Sequence, residues 1–539
     1  MKSNWNVKLY GQGLSANEII TQILENRCIP KDAQQEFNRP AADFIFPSKC
    51  FKNIENAAEV FMDYCHSCLI YADTDTDGCT SAAIMWRYIS NYSGIQPKLY
   101  INNGKDHGIQ DYFDFNSLAD IDLVIIVDSI NDKPDMYQRI LDMGKHIIVL
   151  DHHIPSSEIL NIQDKINLVS SANGYPNSHL SGAGVCWKFC NYIDYVTGNT
   201  YADELTCLAA VGIIADVCSV GVVSMENRAI CNQGFNLDTN SAILKLCGGE
   251  SFNATTVSFN IAPLINAANR MNKNELALEL FITDDRARLV EIIKDLENVR
   301  KQQKDIVNKL FPQLLEEGEL QKDKKCSIFI VKDIDNLGGL LATKLTAYYH
   351  KPCLVLHDTG DNYEGSMRAE GVENFAKLVN DSGLGECAGH ENSAGICIPK
   401  SNFSIFINYI EDALQDTSFV ETLDVDVCLD RVQITPFLIQ KLEEVSRISG
   451  KDFESIKVLI KDVKNYEIKK LSQGKHLSVG VPDMKFLCWN FSDWDLICEN
   501  GTFSAVGTLS VNKFMGKTTN QMMIEDFEFI PNSTKFDLW

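Results

Sequence analysis

The run Cys68-Leu-Ile-Tyr-Ala72 passes without a break into Asp73-Thr-Asp75-Thr-Asp77-Gly78. Unbroken apolar character followed at once by three carboxylates reads as a buried strand ending in a tight turn, with a helix opening at about Thr80. Carboxylates at i, i+2 and i+4 repel one another, so the cluster is costly unless cations or hydrogen bonds compensate it. Hard oxygen donors suit Mg2+ or Mn2+, and Gly78 permits a tight backbone turn. Taken alone, the stretch also reads as a solvated acidic turn or a lone calcium loop.

The pattern recurs downstream. Leu123-Val-Ile-Ile-Val127 leads straight to Asp128, and His146-Ile-Ile-Val-Leu150 leads to Asp151-His152-His153. Another short apolar run covers residues 98–101, and helix-like segments at 80–92 and 135–143 separate the strands. Continuous apolar strands alternating with helices predict a parallel α/β sheet, and such sheets collect ligands at the carboxyl ends of their strands. A lone Asp128 would read as a helix N-cap and a lone His pair as a surface turn. Three strands delivering such groups to one edge favour a site. A fourth contribution is Asp216, which closes the apolar segment Ala209-Ala-Val-Gly-Ile-Ile-Ala215. The expected ligands are Asp73, Asp75, Asp77, Asp128, His152 and Asp216, holding two adjacent ions suited to in-line phosphoryl displacement. Mixed His and carboxylate ligation leans to Mn2+ over Mg2+. Asp151, His152 and His153 are the expected catalytic group, with Asp151 orienting an imidazole.

Working outward, residues 1–65 read as an N-terminal helical segment with an amphipathic stretch at 17–24, and 66–250 as the parallel-sheet domain. Residues 251–318 read as a connector whose long helix spans 284–310 and is limited by Pro312. A smaller α/β domain is expected over 319–415. Alternating, turn-rich segments over 416–539 suggest a small OB-like β-barrel. The 539 residues are 45% hydrophobic and 23% charged, an ordinary globular balance, but the net charge of −24 opposes a broadly basic nucleic-acid surface. Nucleic acid would need a local basic groove. The 18 Cys are scattered and read as reduced, buried small hydrophobes. No apolar run approaches the roughly 18 residues that span a bilayer, and no secretion signal is evident, so a cytoplasmic chain with no membrane partner is expected.

These pieces, in this order, resemble the DHH phosphoesterase family and its RecJ-type exonucleases. Asp73–Gly78 looks like the family's DxDxDG motif, Asp128 like its second-motif Asp, Asp151-His152-His153 like the signature triplet and Asp216 like the fourth-motif Asp. Ser181-Gly-Ala-Gly-Val185 resembles its SGAGV segment. Further on, Leu264-Ile-Asn-Ala-Ala-Asn-Arg270 resembles LNAAGR. Gly365-Ser366-Met-Arg368 resembles the GSGRS strand, and Ala388-Gly389-His390 with Ala394-Gly395 the GGH-xx-AAG motif. The resemblance implies a two-metal phosphodiesterase acting 5′ to 3′ on single-stranded DNA in recombination, repair or replication. Under it, Arg270, Ser366, Arg368, Lys105 and Gly389 grip substrate and His390 meets the reacting phosphate. Lys105 stands where the family usually has an Arg. The implied partners are single-stranded DNA and a single-strand-binding protein or helicase, and the implied state is a monomer. The alternative within the same chemistry is an oligoribonuclease or small-nucleotide phosphodiesterase; a non-enzymatic scaffold fits poorly, because every motif carboxylate and histidine is retained.

Overall fold

The computed structural model describes residues 4–102, 108–237, 240–332, 334–419, 422–489, 491, 494, 497, 501–514 and 517–531. The chain forms two compact units: residues 1–263 with 278–289 and 422–539, and residues 264–277 with 290–421.

In the first unit the opening strand, Cys68–Ala72, lies between Lys98–Ile101 and Leu123–Val127, followed by His146–Asp151 and Leu168–Ser170, all parallel. Every residue of Cys68–Ala72 and Leu123–Val127 is buried, because helices cover both sheet faces. On one face Leu69, Tyr71, Val124, Ile126, Ile147 and Val149 pack against Met136, Tyr137 and Ile140 of the helix Pro134–Asp142. On the other, the helices Thr76–Ser93, Gly182–Thr197 and Thr206–Ala215 pack together. Strand order 2-1-3-4-5 reverses direction between the first and third strands. The connections leaving that pair diverge to opposite sides and open a crevice at their carboxyl ends. Asp73, Asp75 and Asp77 follow one strand of the pair and Asp128 the other.

The same unit holds a seven-stranded sheet ordered Val427–Leu429, Val458–Val463, Gly501–Phe514, Lys517–Pro531, Met484–Cys488, His476–Val481, Glu467–Leu471. Tyr466, Phe486, Phe503, Phe527 and Phe529 form its aromatic core, whereas Trp489 is exposed.

Three features depart from the sequence reading. The helix after the acidic turn opens at Thr76, not Thr80, because Asp75 caps it by accepting from the Gly78 amide. The first residues include a strand, Asn4–Val7, paired in parallel with Thr422–Val425 and fastened by Trp5 Nε1 donating to Asp526 at 2.7 Å. Its partner lies more than 400 residues away, so nothing local announces it. Pro312 does not end the long helix, which runs over Arg286–Glu319. An interior Pro costs about 3 kcal/mol. Val307 and Leu314, buried on either side of it among Phe329, Leu341 and Val355, hold the helix through the interruption.

In the second unit the five-stranded sheet is ordered Glu386–His390, Ser393–Pro399, Asn362–Arg368, Cys353–Asp358, Ser327–Ile330, and only the last two strands are parallel to one another.

Arg228 joins three parts of the first unit. It is 1% exposed, and it donates to the carbonyls of Phe37, Val220 and Ile448 at 3.0, 2.8 and 2.9 Å. Its guanidinium also lies 3.7 Å from the Phe37 ring centroid and 5.1 Å from that of Phe453. Arg228→Met strands three buried carbonyls, each costing about 1–3 kcal/mol. It is expected to lower the unfolding free energy by at least about 3 kcal/mol, as a fall in the urea midpoint. An unchanged midpoint would show that these bonds hold nothing.

Candidate functional site

The carboxyl ends of the parallel strands bring the acidic turn, Asp128, the Asp-His-His triplet and Asp216 together. Asp73, Asp75 and Asp128 each present an oxygen within 4.8 Å of the others. A second group of the same tightness joins Asp128, Asp151, His152 and His153, and a third joins His152, Asp216 and Cys218. His152 Nε2 lies 3.2 Å from Asp128 Oδ1, 3.7 Å from Asp216 Oδ2 and 3.9 Å from Asp77 Oδ2. Asp128 belongs to the first two groups and His152 to the last two, so the donors form one continuous cluster.

Each side chain has an identifiable support. Asp77, in the first turn of Thr76–Ser93, accepts from the amides of Gly182 and Ala183 at 2.7 and 3.0 Å, at the start of Gly182–Thr197. Those amides belong to a helix N-terminus, where negative charge is favoured. Gly182 is required there: a Cβ would come within 2.7 Å of Asp128 Cβ and Oδ1. Gly78 meets a similar limit, since a Cβ would lie 2.5 Å from the Asp73 carbonyl oxygen. Its role is close approach of backbone to backbone. Asp151 is saturated: Oδ1 receives the amides of His152 and His153 at 2.6 and 2.8 Å and His153 Nδ1 at 2.8 Å, and Oδ2 receives the Ile130 amide at 2.6 Å. It therefore fixes the His153 imidazole, as an orienting carboxylate does, and holds His152 by its backbone amide.

The electrostatics separate the roles. Burial, reinforced by Asp75, raises Asp73 well above the usual carboxylate range. Burial with Asp216 and Asp75 does the same to Asp77, and burial with Asp77, Asp75 and Asp151 to Asp128. Burial also opposes the charge of Asp151, but the charge and hydrogen bonds of His153 outweigh it and hold Asp151 below the usual range. Burial and the neighbouring His153 lower His152, which favours the neutral imidazole that binds metal. Burial works against the His153 cation, yet Asp151 carries it to about 9.

These donors fit divalent cations. Asp128 Oδ1 is buried and accepts no hydrogen bond among the described residues, and a buried unsatisfied acceptor costs about 1–3 kcal/mol or more. Asp128 also sits at φ +50, in the left-handed region, and Val217 beside Asp216 at φ +54. Strain of this kind costs about 1–3 kcal/mol per residue and persists where the surroundings impose it. Cys218 is the residue the sequence reading missed. Its thiol lies 3.3 Å from Asp216 Oδ2, and only its spacing from Asp216 could have suggested it.

The remaining expected residues lie in the second unit, except Lys105, which falls outside the described residues. Ser366 and Arg368 are on Asn362–Arg368 two positions apart and so share a face. Arg368 pairs in register with Ser393, which pairs with His390. His390 and Gly389 are exposed, and Gly389 has φ +131. Arg270 lies close enough to Arg368 for its charge to be felt there, and burial disfavours both cations. Neither guanidinium has a carboxylate partner among the described residues. The helix Gly338–Tyr349 begins against Arg368 and Ser366, with an added Gly339 Cβ placed 3.1 Å from Arg368 Nη2 and 3.5 Å from Ser366 Oγ. Two guanidiniums without a carboxylate partner among the described residues, one of them (Arg368) donating to the Met367 carbonyl at 2.7 Å, together with a hydroxyl and a helix N-terminus, suit a phosphate. The helix N-terminus was not foreseen from the sequence.

Comparison with known proteins agrees with the fold. Residues 67–213 match the DHH family N-terminal domain, and residues 425–526 match the RecJ OB domain. The chain thus carries a DHH-family domain and a RecJ OB domain. A prophage protein of Bacillus subtilis with the provisional name of a single-strand DNA-specific exonuclease is 27% identical over 96% of this chain and 97% of its own. The single-stranded-DNA-specific exonuclease RecJ of Bacillus subtilis is 25% identical over 96% of this chain and 69% of its own. The Mn2+ complex of RecJ from Thermus thermophilus matches the fold with a TM-score of 0.75 at 21% identity, covering 98% of this chain and 80% of that one. The same protein was also crystallised with Mg2+. No helix among the described residues is long and apolar enough to cross a membrane.

Asp128→Asn tests the fit directly, because Asn tolerates the left-handed backbone and removes one charge from the cluster. The metal-free variant is expected to melt at or above the wild-type temperature. Wild-type protein should gain about 2.7 kcal/mol when Mn2+ reaches about 100 times its dissociation constant, and the variant should lose most of that gain. Gly182→Ala, by displacing the Asp128 carboxylate, is expected to weaken Mn2+ binding by about tenfold or more in calorimetry.

Proposed function

We propose that this chain hydrolyses phosphodiester bonds of single-stranded DNA from the 5′ end with two divalent cations, Mn2+ or Mg2+. The observation that carries the reading is the Asp128 carboxylate, whose Oδ1 accepts no hydrogen bond among the described residues and which is shared between the Asp73–Asp75 group and the His152 group. A donor common to two ligand sets is what a pair of adjacent cations requires. Asp73 and Asp75 with Asp128 would hold one ion, and Asp128, His152 and Asp216 the other, with Asp77 completing the cluster. Bound there, the ions would supply an activated water and neutralise charge on the phosphate.

The chain's own residues do the rest. Asp151 fixes the His153 imidazole with its proton on Nδ1 and anchors the His152 backbone amide, while His152 offers Nε2 to the cluster beside Asp128. Arg270, Arg368 and Ser366 hold a terminal phosphate, with the Gly338–Tyr349 helix start adding amide donors. His390 and Gly389 lie on the strand two removed from Arg368 and add to that phosphate cradle. On the C-terminal sheet a groove of about 630 Å³, lined in part by Tyr466, Lys469, Lys485 and Gln521, offers cations and an aromatic ring to a strand. That groove, and relatives named for single-stranded DNA, favour a long strand over a dinucleotide. A single-strand-binding protein or a helicase would present the strand to a monomeric enzyme.

Digestion of end-labelled single-stranded DNA in Mn2+ checks the reading. The expected result is release of mononucleotides from the 5′ end, and faster cleavage of strands than of dinucleotides; preference for dinucleotides would overturn it. Arg368→Ala removes a charged phosphate contact worth about 1.5–3 kcal/mol. It is expected to raise KM about tenfold or more for 5′-phosphorylated strands and little for 5′-hydroxyl strands.

A further inference from the structure

We propose that Cys218 makes the His152–Asp216 side of the metal centre a site that captures thiophilic divalent cations, Zn2+ or Cd2+, in preference to Mn2+ and Mg2+. The proposal rests on the two-cation reading for its location and goes beyond it in chemistry. His152, Asp216 and Cys218 each place one donor atom within 4.8 Å of the others. Cys218 Sγ is 3.3 Å from Asp216 Oδ2, and the residue is 9% exposed. Asp128 Oδ1, buried and without a hydrogen bond among the described residues, lies 3.2 Å from His152 Nε2 and would supply the fourth donor.

One nitrogen, one sulfur and two carboxylate oxygens are a set that Zn2+ accepts in four-coordinate form. Mn2+ and Mg2+ are well served by oxygen and nitrogen and gain little from sulfur, whereas Zn2+ and Cd2+ gain much. Binding breaks the S–H bond, releases its proton to solvent and forms a metal–sulfur bond. Phosphodiester hydrolysis with hard cations needs no thiol, so Cys218 acts on metal choice: captured Zn2+ would occupy a position that Mn2+ otherwise fills. The competing role is a hydrogen bond from the thiol to Asp216, which a serine hydroxyl reproduces.

Titration of the full-length protein with Cd2+, read by the ultraviolet sulfur-to-cadmium charge-transfer absorption, tests this without any nuclease assay. The wild type is expected to show a band that Cys218→Ser and Cys218→Ala both lack in difference spectra. Zn2+ affinity should fall by about tenfold or more in both variants, with an unchanged urea midpoint of the metal-free protein as the check on folding. Equal bands in wild type and variants would assign the sulfur to another cysteine and overturn the proposal. So would Zn2+ affinity retained by Ser and lost by Ala, which marks the hydrogen bond. A protein that shows the band but cuts no DNA would sink the nuclease reading and leave this one standing.

Discussion

Buried carboxylates cannot all stay ionised beside one another, and the first unit is arranged around that conflict. Asp73, Asp77 and Asp128 are each no more than 7% exposed, and each is driven toward its protonated form by burial and by its neighbours. Two unit charges 4 Å apart interact by about 4 kcal/mol at an effective dielectric of about 20. A cluster of this density is stable only with compensating positive charge. Helix N-terminal amides supply part of it to Asp77, and imidazoles supply part to Asp151. Asp128 Oδ1 receives no hydrogen bond among the described residues. The fold keeps it in place regardless, with a left-handed backbone and a glycine pressed against its carboxylate.

That rigidity follows from the topology. The reversal of strand order places the acidic turn and Asp128 on adjacent strands, and the next strand in line carries the His pair. Helices on both faces fix all three strand ends, so the donors cannot spread apart to relieve their repulsion. Asp151 marks the difference between a support and a donor. It has the same residue type and depth as Asp128, yet four hydrogen bonds consume it, and its charge is favoured where that of Asp128 is opposed.

Much of this was legible in the sequence because it is local. The apolar runs at 68–72, 123–127 and 146–150 are strands because burial on both faces leaves no alternation to confuse them with surface strands. Each ligand follows its strand directly, so strand ends and donors come from one reading. What escaped notice is what depends on distant partners. The Asn4–Val7 strand has only two apolar residues and exists through pairing with Thr422–Val425. Pro312 would stop an isolated helix, and only packing of Val307 and Leu314 into the second unit's core carries the helix past it. Asp151 was legible as an orienting carboxylate, but its bond from the Ile130 amide comes from another loop and was not. Cys218 was hidden among 18 scattered cysteines, most of them buried filler. In the second unit, Ser366 and Arg368 were visible by resemblance, but the approach of the Gly338–Tyr349 helix start to them is a matter of packing.

The central claim is that the carboxylate cluster is built for two cations sharing Asp128. The most direct measurement is an anomalous difference map from crystals of the full chain soaked in Mn2+. Two peaks about 3.5–4 Å apart are predicted, one against Asp73, Asp75 and Asp128 and the other against Asp128, His152 and Asp216. A single peak, or two peaks with no common Asp128 contact, would contradict the account.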